Sequence, residues 1–356
     1  MTRRTVAVIV AVIAIPSWLW LEVNAQSPRR APQSAPVLRY RFEKFAEGVY
    51  LARATRAISS AANVAVIVND RDVMIVDNGT TPAATRALLQ DLKTITDKPV
   101  RHQVNTHYHY DHTDGNQVFT PDVQIIGHEN ARRDILTLKV LERDPYVNFA
   151  HVRLPARIAV LKNQIASERD AEAVATLEGQ LRVELELVEG LKEIRPTPPN
   201  TVFSKTLTVF RGEREIRLLF LGRGHTSGDI VVHLPRERII ATGDLVQSAL
   251  PFMGDGYFDE WVATIDEVKK LDFTVMLPGH GAPITDRATI EAFQGYVRDL
   301  TAQTMTLRKQ GLTVDQAAAR VDLTAYKQHF PAIQGLGADV RAVRRIYEWI
   351  DERGKR

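Results

Sequence analysis

The sequence of 356 residues contains no cysteine. Disulfide bonds and thiolate ligands are therefore excluded. Any bound metal ion must be held by histidine, aspartate or glutamate, which suit zinc, iron and manganese. The absence of thiols fits an oxidising compartment, and a chain of this length can bury a large core without disulfide bonds.

The sequence also lacks a concentrated excess of one charge. Its formal net charge is +3, and its lysine and arginine residues are scattered among acidic residues. Proteins that bind nucleic acids usually carry a basic patch or stripe, so we expect no nucleic-acid partner. With 44% hydrophobic and 25% charged residues, the composition is that of a globular protein with one large domain or two smaller ones.

An apolar run near the N-terminus is too interrupted to be a typical membrane span. Arg3 and Arg4 precede it, Pro16 breaks it, and small residues follow up to Ala25. This order is typical of a signal peptide, which we predict over residues 1–25. A span needs about 20 continuous apolar residues, so an uncleaved anchor is the less favoured alternative. We therefore expect a periplasmic or secreted protein with no stable membrane association after cleavage.

Composition and periodicity divide the rest of the chain. Residues 26–38 are rich in proline, serine and alanine and are predicted to be a disordered linker. Residues 39–290 alternate strand-like and helix-like patterns, interrupted at 130–195 by long helix-forming segments that indicate an inserted helical hairpin. Residues 291–356 are predicted to form C-terminal helices packed on this domain. Runs of strands followed by helices in both halves favour an α/β fold with two sheets face to face and helices outside.

Residues 105–116, NTHYHYDHTDGN, crowd three histidines and two aspartates together. His107 and His109 are two residues apart at the end of a predicted strand, so their side chains point to the same side. Asp111 and His112 follow at the predicted start of a helix and can turn back toward that point. Neighbouring imidazoles gain nothing from one another alone, so the cluster indicates a divalent metal ion whose other ligands come from elsewhere in the chain.

Three further candidate ligands lie downstream, each after a predicted strand. They are His225 in GRGHTSGD, Asp244 in ATGD and His280 in LPGHG. Polar residues at strand ends are where α/β folds build their sites, and the flanking glycines allow sharp bends of the backbone. We expect these three side chains to join the histidine cluster.

The order HxHxDH, His, Asp, His resembles the metallo-β-lactamase superfamily over residues 45–285, apart from the helical insertion. Asp77, at the end of IVDNG, matches that family's first acidic motif. The resemblance implies an αββα sandwich and two metal ions per chain, zinc before iron or manganese. It implies His107, His109 and His225 as ligands of the first metal ion, Asp111, His112 and His280 as ligands of the second, and Asp244 as the bridge between them.

The resemblance also implies a mechanism. Two metal ions would share a hydroxide of lowered pKa that attacks a small-molecule substrate. Asp111 would act catalytically by steering a proton to the leaving group, and Asp77 would orient a ligand imidazole. The implied bond is a carbonyl ester, lactone, thioester or β-lactam. Many true β-lactamases have cysteine at the position of Asp244, and Asp114 stands where the family usually has glycine.

Several alternatives stay open at this stage. Histidine and carboxylate ligands also suit an iron-dependent oxygenase or redox enzyme on the same scaffold, or a metal-binding protein without turnover. The helical insertion could cap the pocket, be solvated or contact a second copy. Phe252, Tyr257 and Trp261 could form a substrate wall or pack beneath the following helix. Sequence leaves the oligomeric state open.

Overall fold

The structure is a computed structural model, and it describes residues 37–354. The predicted signal peptide and residues 26–36 of the predicted linker lie outside the described residues. From Leu38 to Gly354 the described residues belong to one compact unit. Within residues 37–354, none of the helices combines the length and the apolar character that crossing a bilayer requires.

Seven strands form the first sheet, and their spatial order is their order along the chain. They are β1 (Tyr40–Ala46), β2 (Val49–Ala54), β3 (Val64–Val68), β4 (Val73–Val76), β5 (Val100–Val104), β6 (Gln124–His128) and β7 (Thr201–Phe203). Strands β1 to β4 pair antiparallel, and β4 to β7 pair parallel. The parallel half brings the carboxyl ends of β4 and β5 to the same edge of the sheet.

Five strands form the second sheet, in the order β12, β11, β10, β9, β8. They are β8 (Thr206–Arg211), β9 (Arg214–Leu219), β10 (Val231–Leu234), β11 (Ile239–Gly243) and β12 (Val275–Pro278). All neighbours are antiparallel except β11 and β12, which are parallel. The carboxyl ends of β11 and β12 therefore also lie side by side.

The helices described are α1 (Pro82–Leu92), α2 (Tyr110–Thr113), α3 (Glu129–Thr137), α4 (Tyr146–Asn148), α5 (Leu154–Ser167), α6 (Ala171–Lys192), α7 (Trp261–Lys269), α8 (Arg287–Lys309), α9 (Val314–Ala318) and α10 (Val340–Gly354). A π-helical turn, Phe149–Arg153, leads directly into α5.

Alternation along the strands explains the layers. In β4, Met74 and Val76 lie in a cluster shared with Leu218 and Val232 of the second sheet, so the two sheets face each other. Ile75 points the other way, toward α1. On the outer side of the second sheet lie α7, α8 and α10. The predicted αββα sandwich is confirmed.

Helices α5 and α6 form the predicted helical hairpin, inserted between the parallel strands β6 and β7. Asp170 caps α6, because its side chain accepts a hydrogen bond from Ala173 N at 2.8 Å. The base of the insertion packs on the first histidine-rich loop, where Phe149 stacks on Tyr110 with ring centroids 5.0 Å apart. The predicted domain boundary at 290 and 291 falls inside α8.

The core around α8 gives the first testable expectation. Phe293 is fully buried and packs against Trp261 and Phe330 at centroid distances of 5.9 and 6.2 Å. Phe293→Ala should lower the free energy of unfolding by about 3–5 kcal/mol, because it removes a large apolar side chain and leaves a cavity. The matched control is Phe210→Ala, since Phe210 is 64% exposed and its loss should change stability by less than about 0.5 kcal/mol. Equal midpoints of urea unfolding for the two variants would contradict this assignment of the core.

Candidate metal centre

The seven sequence-predicted ligands come together where the ends of four strands meet. The histidine-rich loop follows β5 of the first sheet, and His225 lies between β9 and β10 of the second. Asp244 follows β11 directly, and His280 lies two residues after β12. The site is therefore built at one edge of the sandwich, with both sheets contributing.

The first group consists of His107, His109 and His225, one ligand atom from each lying within 4.8 Å of the others. His225 Nε2 is 3.0 Å from His109 Nδ1. The ring centroid of His107 lies 4.7 Å from that of His109 and 4.8 Å from that of His225. All three are buried.

The second group consists of Asp111, His112 and His280, again within 4.8 Å. His280 Nε2 lies 3.1 Å from Asp111 Oδ2 and 3.3 Å from His112 Nε2. These three side chains come from α2 and from the loop after β12, so the group exists only because the two sheets pack together.

Asp244 lies between the two groups. Its carboxylate oxygens are 3.3 Å from His112 Nε2, 3.5 Å from His280 Nε2 and 3.6 Å from His225 Nε2. It also forms a third group of possible ligands with His107 and His112. One carboxylate thus contacts histidines of both groups.

A glycine allows this close approach. A Cβ atom added to Gly279 would lie 2.3 Å from Asp244 Oδ1 and 2.8 Å from His112 Cε1. These distances are shorter than any van der Waals contact, so the backbone after β12 could not pass here with a larger residue.

Neighbouring side chains fix the ring nitrogens of His107 and His112. The Thr106 hydroxyl donates to Asp77, at 2.9 Å from Oδ2, so its oxygen is left to accept from His107 Nδ1 at 3.1 Å. Asp77 Oδ2 accepts from His112 Nδ1 at 2.8 Å. Nδ1 of both imidazoles is therefore engaged as a donor, and Nε2 of each ring is left facing the site. His107 Nε2 is buried and has no hydrogen-bond partner within residues 37–354.

The same logic holds for His109 and His280. Asp255 Oδ2 accepts from His109 Nε2 at 3.0 Å, which leaves Nδ1 facing the first group. The carbonyl oxygen of Ala61 can only accept, so His280 donates from Nδ1 at 3.0 Å and turns Nε2 toward the second group. Outer partners of this kind are what orient metal-binding imidazoles, and the residues fit a pair of divalent cations.

Electrostatics favour the same states. Burial lowers the pKa of His107 well below its ordinary value and lowers the pKa of His225 to about 3, so both are neutral. Burial opposes ionisation of Asp111, but the charges of His112 and His280 bring its pKa to about 2. Neutral imidazole and ionised carboxylate are the forms that bind metal ions.

His112 is surrounded by carboxylates. Burial acts against its protonation, yet Asp77, Asp111 and Asp244 raise its pKa well above the ordinary value. Such a density of negative charge around one imidazole attracts a cation, whether a proton or a metal ion, and metal binding releases the proton.

Two acidic residues near the site have roles that the sequence did not indicate. Asp255 is 8% exposed and accepts hydrogen bonds from His109, from the Tyr108 hydroxyl at 2.6 Å and from Arg143 of the insertion. Asp229 shapes the loop around His225 by accepting from Thr226 N at 2.8 Å and from Gly224 N at 3.1 Å. In the sequence, both could be recognised only as acidic residues downstream of a predicted ligand, Asp229 after His225 and Asp255 after Asp244.

Asp255 gives the second testable expectation. Asp255→Asn should weaken zinc binding by about 10- to 100-fold, because an amide can present its NH₂ group to His109 Nε2 and no longer fixes that ring. Tyr108→Phe is the matched control, since it removes another donor to Asp255 and leaves the carboxylate on His109. Competition with a chromophoric chelator measures both affinities. An unchanged affinity in Asp255→Asn would contradict the orienting role.

Asp114 is the C-cap residue of α2. Its backbone N–H donates to Tyr110 O at 2.9 Å, and its side chain is 1% exposed. Neither carboxylate oxygen has a hydrogen-bond partner in the described part of the chain. Burial, and then the charge of Asp111, raise the pKa of this carboxyl well above its ordinary value, so it is held in the protonated form.

The candidate ligands open on a cavity of about 370 Å³, the catalytic cavity. His109, Asp111, Asp244 and His280 form its floor. Its walls include Tyr110 and Phe252, the insertion residues Asn148, Phe149, Arg153 and Arg157, and Asp339 and Arg341 near α10. The insertion thus lines the cavity.

The aromatic residues after Asp244 divide between the two expected roles. Phe252 lies in the cavity wall, 5.8 Å from the His109 ring. Trp261 is fully buried in the core, and its Nε1 donates to Leu245 O at 2.9 Å. Tyr257 lies beneath Arg223, whose guanidinium carbon is 4.3 Å from the ring centroid.

Known proteins resemble this chain in sequence. A profile of the metallo-beta-lactamase superfamily matches residues 59–280. The linear primary-alkylsulfatase of a Pseudomonas species is 25% identical over 303 residues, which are 78% of this chain and 53% of that protein. A metallo-beta-lactamase type 2 of a Bacillus species is 32% identical over 144 residues, 39% of this chain and 51% of that protein. The chain thus spans about half the length of both relatives.

Solved structures share the fold. A metallo-beta-lactamase from Pontibacter korlensis superposes with a TM-score of 0.51 at 17% identity, covering 73% of this chain and 99% of that one. The stereoselective inverting sec-alkylsulfatase from a Pseudomonas species gives a TM-score of 0.59 at 17% identity, covering 87% and 50%. At this level of identity the likeness establishes the fold alone.

Proposed function

Since the chain belongs to the metallo-β-lactamase superfamily, we propose that it is an exported zinc-dependent hydrolase with a binuclear site. The bond that it cleaves is a carbonyl ester, lactone, thioester or β-lactam of a small molecule. The observation that carries this proposal is the convergence of three overlapping ligand groups on the floor of one open cavity. A buried cluster of this kind without access would suit a structural metal ion instead.

The proposed holders of the metal ions follow the groups in the structure. His107, His109 and His225 would hold one ion, Asp111, His112 and His280 would hold the other, and Asp244 would be a ligand available to both. When bound, two such cations would supply a nucleophilic water of lowered pKa and polarise the substrate oxygen on the atom under attack.

The chain itself supplies positioning and proton handling. Asp111 lies on the cavity floor, and its low pKa keeps it ionised, so it can accept a proton from the attacking water and pass it at once to the leaving group. Asp77 and Asp255 keep the imidazoles of His112 and His109 in the orientation that binds metal. Tyr110 and Phe252 form apolar walls that limit the water around the reacting bond.

A second candidate reaction is hydrolysis of a sulfate ester. The relative that spans 78% of this chain is an alkylsulfatase, and the catalytic cavity has three arginines in its walls. Guanidinium groups match the planar donor pattern that sulfate oxygens accept. Both candidate reactions would use the same metal-binding side chains, so only an assay with substrates of both kinds distinguishes them.

A substrate panel separates the candidates. The purified zinc-loaded protein is assayed with a penicillin, a cephalosporin, a γ-lactone, an acyl thioester, p-nitrophenyl acetate and p-nitrophenyl sulfate, with His107→Ala as the control. Turnover of an acyl substrate that disappears in His107→Ala supports the first reaction, and turnover of the sulfate alone supports the second. Two bound metal ions without turnover of any substrate would overturn the hydrolase and favour metal binding alone. Iron in place of zinc, with oxygen consumption, would favour the redox alternative.

A further inference from the structure

Arg153 is a cation of the catalytic cavity with no acidic partner. It ends the π-helical turn Phe149–Arg153, a local change of helix geometry that is frequent at functional sites. Within residues 37–354 no hydrogen bond or ion pair reaches its guanidinium. An arginine stays charged at any physiological pH and offers paired donors to carboxylate or sulfate. Arg153 is exposed and lines the cavity, so its donors are available to a ligand there.

Arg157 stands one helical turn further along and shares that face of α5. It pairs with Glu184 of α6, so its charge is matched. Its Nε–H, however, is buried and has no hydrogen-bond partner in the described part of the chain. A buried donor left unpaired is unfavourable, and an oxygen atom of a ligand would satisfy it.

The remaining charges of the cavity wall are balanced. Arg341 pairs with Asp339 at 2.6 Å, and Asp111 and Asp244 belong to the proposed metal site. Arg153 is then the unmatched charge of the wall. With metal ions on the floor, the cavity attracts anions.

An apolar groove continues from the catalytic cavity beyond Arg157. This groove, the hairpin groove, has a volume of about 620 Å³ and lies between α5, α6 and the loop after β2. Its apolar lining residues are Ile58, Ala156, Val160, Leu161 and Val183. Arg157 lines both spaces, so the two abut at its side chain. Val160 is 54% exposed, which leaves the groove open to a ligand.

We propose that the substrate is an anionic amphiphile, with a carboxylate or sulfate held by Arg153 and Arg157 and a hydrocarbon chain lying in the hairpin groove. This inference rests on the proposed function, because it places the bond to be cleaved over the metal-binding floor. Charge complementarity selects the anionic end, and the apolar side chains of the hairpin groove select the hydrocarbon chain. The helical insertion is thereby the part of the protein that selects the substrate.

The test measures binding, and the release of decanol is followed beside it, because decyl sulfate is itself a sulfate ester. Decyl sulfate, butyl sulfate and neutral decyl maltoside are titrated calorimetrically into the zinc-loaded protein below their micelle concentrations. We expect decyl sulfate to bind at least about 10-fold more tightly than either of the others, because only it fills both the anionic subsite and the groove. It should also compete with whichever panel substrate is hydrolysed.

Two variants test where the anionic end and the hydrocarbon chain of the ligand bind. Arg153→Gln should weaken decyl sulfate binding by about 10-fold or more and leave decyl maltoside unchanged, since a charge-assisted hydrogen bond is lost. Val160→Asp should reduce the affinity for decyl sulfate to that for butyl sulfate. Matched controls on the outside of the hairpin are Arg182→Gln and Leu185→Asp, which should change neither. All four sites are exposed or half-exposed, so the variants should fold.

Two results would overturn the proposal. Decyl sulfate binding that is equal in wild type, Arg153→Gln and Val160→Asp would place the ligand elsewhere. A sedimentation coefficient that falls in Val160→Asp, with no binding of any amphiphile, would show that a second copy of the chain covers the groove. Neither result touches metal content or panel turnover, so the proposed hydrolase is judged separately.

Discussion

Asp244→Ala should abolish hydrolysis and metal retention together. The rate is expected to fall by about 1000-fold or more, equivalent to about 4 kcal/mol of transition-state stabilisation. Asp244 Oδ2 lies 3.5 Å from His280 Nε2 and 3.6 Å from His225 Nε2, so its loss removes a carboxylate that contacts both ligand groups. Metal content by mass spectrometry and turnover of the best panel substrate are measured on the same preparation.

The control for this variant is Asp259→Ala. Asp259 lies in the same stretch after β11 and is exposed, so its loss removes an equal charge without touching the site. We expect it to keep both metal ions and its turnover. If Asp244→Ala also kept two metal ions per chain, the carboxylate would not be a ligand. Its position between the two ligand groups would then have no role in metal binding.

Asp77→Ala should destabilise the whole protein as well as the site. Asp77 is 2% exposed and accepts from Thr106 N at 2.9 Å, from the Thr106 hydroxyl and from His112 Nδ1. Removing it leaves three buried donors unpaired. We expect a loss of about 3–5 kcal/mol in the free energy of unfolding, measured by urea titration with and without zinc.

Asp77→Asn separates the effect of this residue on stability from the effect of its charge on zinc binding. Asp77 has a φ of +63°, a left-handed conformation that asparagine adopts more readily than alanine. The asparagine variant should therefore recover part of the stability, while zinc affinity stays low because His112 loses its carboxylate partner. Equal stability of Asp77→Ala and wild type would show that these hydrogen bonds do not hold the loop.

Local patterns in the sequence predict the fold and the candidate ligands. A continuous apolar run such as Val73 to Val76 predicts a strand buried on both faces, and the burial of this strand agrees. The spacing of His107, His109 and His112 predicts that these side chains converge, because strand geometry alone brings the first two to one side.

Such patterns do not predict contacts between residues that are far apart in the chain. Asp255 contacts His109 across 146 positions of the chain, and the carbonyl of Ala61 contacts His280 across 219. Each partner is chemically ordinary in its own surroundings. Only the packing of one sheet on the other shows that these groups determine which nitrogen faces the site.

The helical insertion shows the same limit. Its periodicity predicts two helices, each with an apolar face, but both helices are also largely exposed, and the sequence does not show what those faces contact. The stacking of Phe149 on Tyr110 sets that orientation, and with it the placement of Arg153 in the cavity wall. The predicted signal peptide and the domain limits stay predictions.

The central claim is that the seven converging side chains hold two metal ions that the reaction needs. The most direct measurement is the metal content of the purified wild-type protein, followed through dialysis against a chelator and titration back with zinc. We predict two metal ions per chain, loss of both together with all turnover, and recovery of turnover as the second zinc equivalent binds. Full turnover in metal-free protein, or a zinc titration that ends without any binding, would contradict the claim.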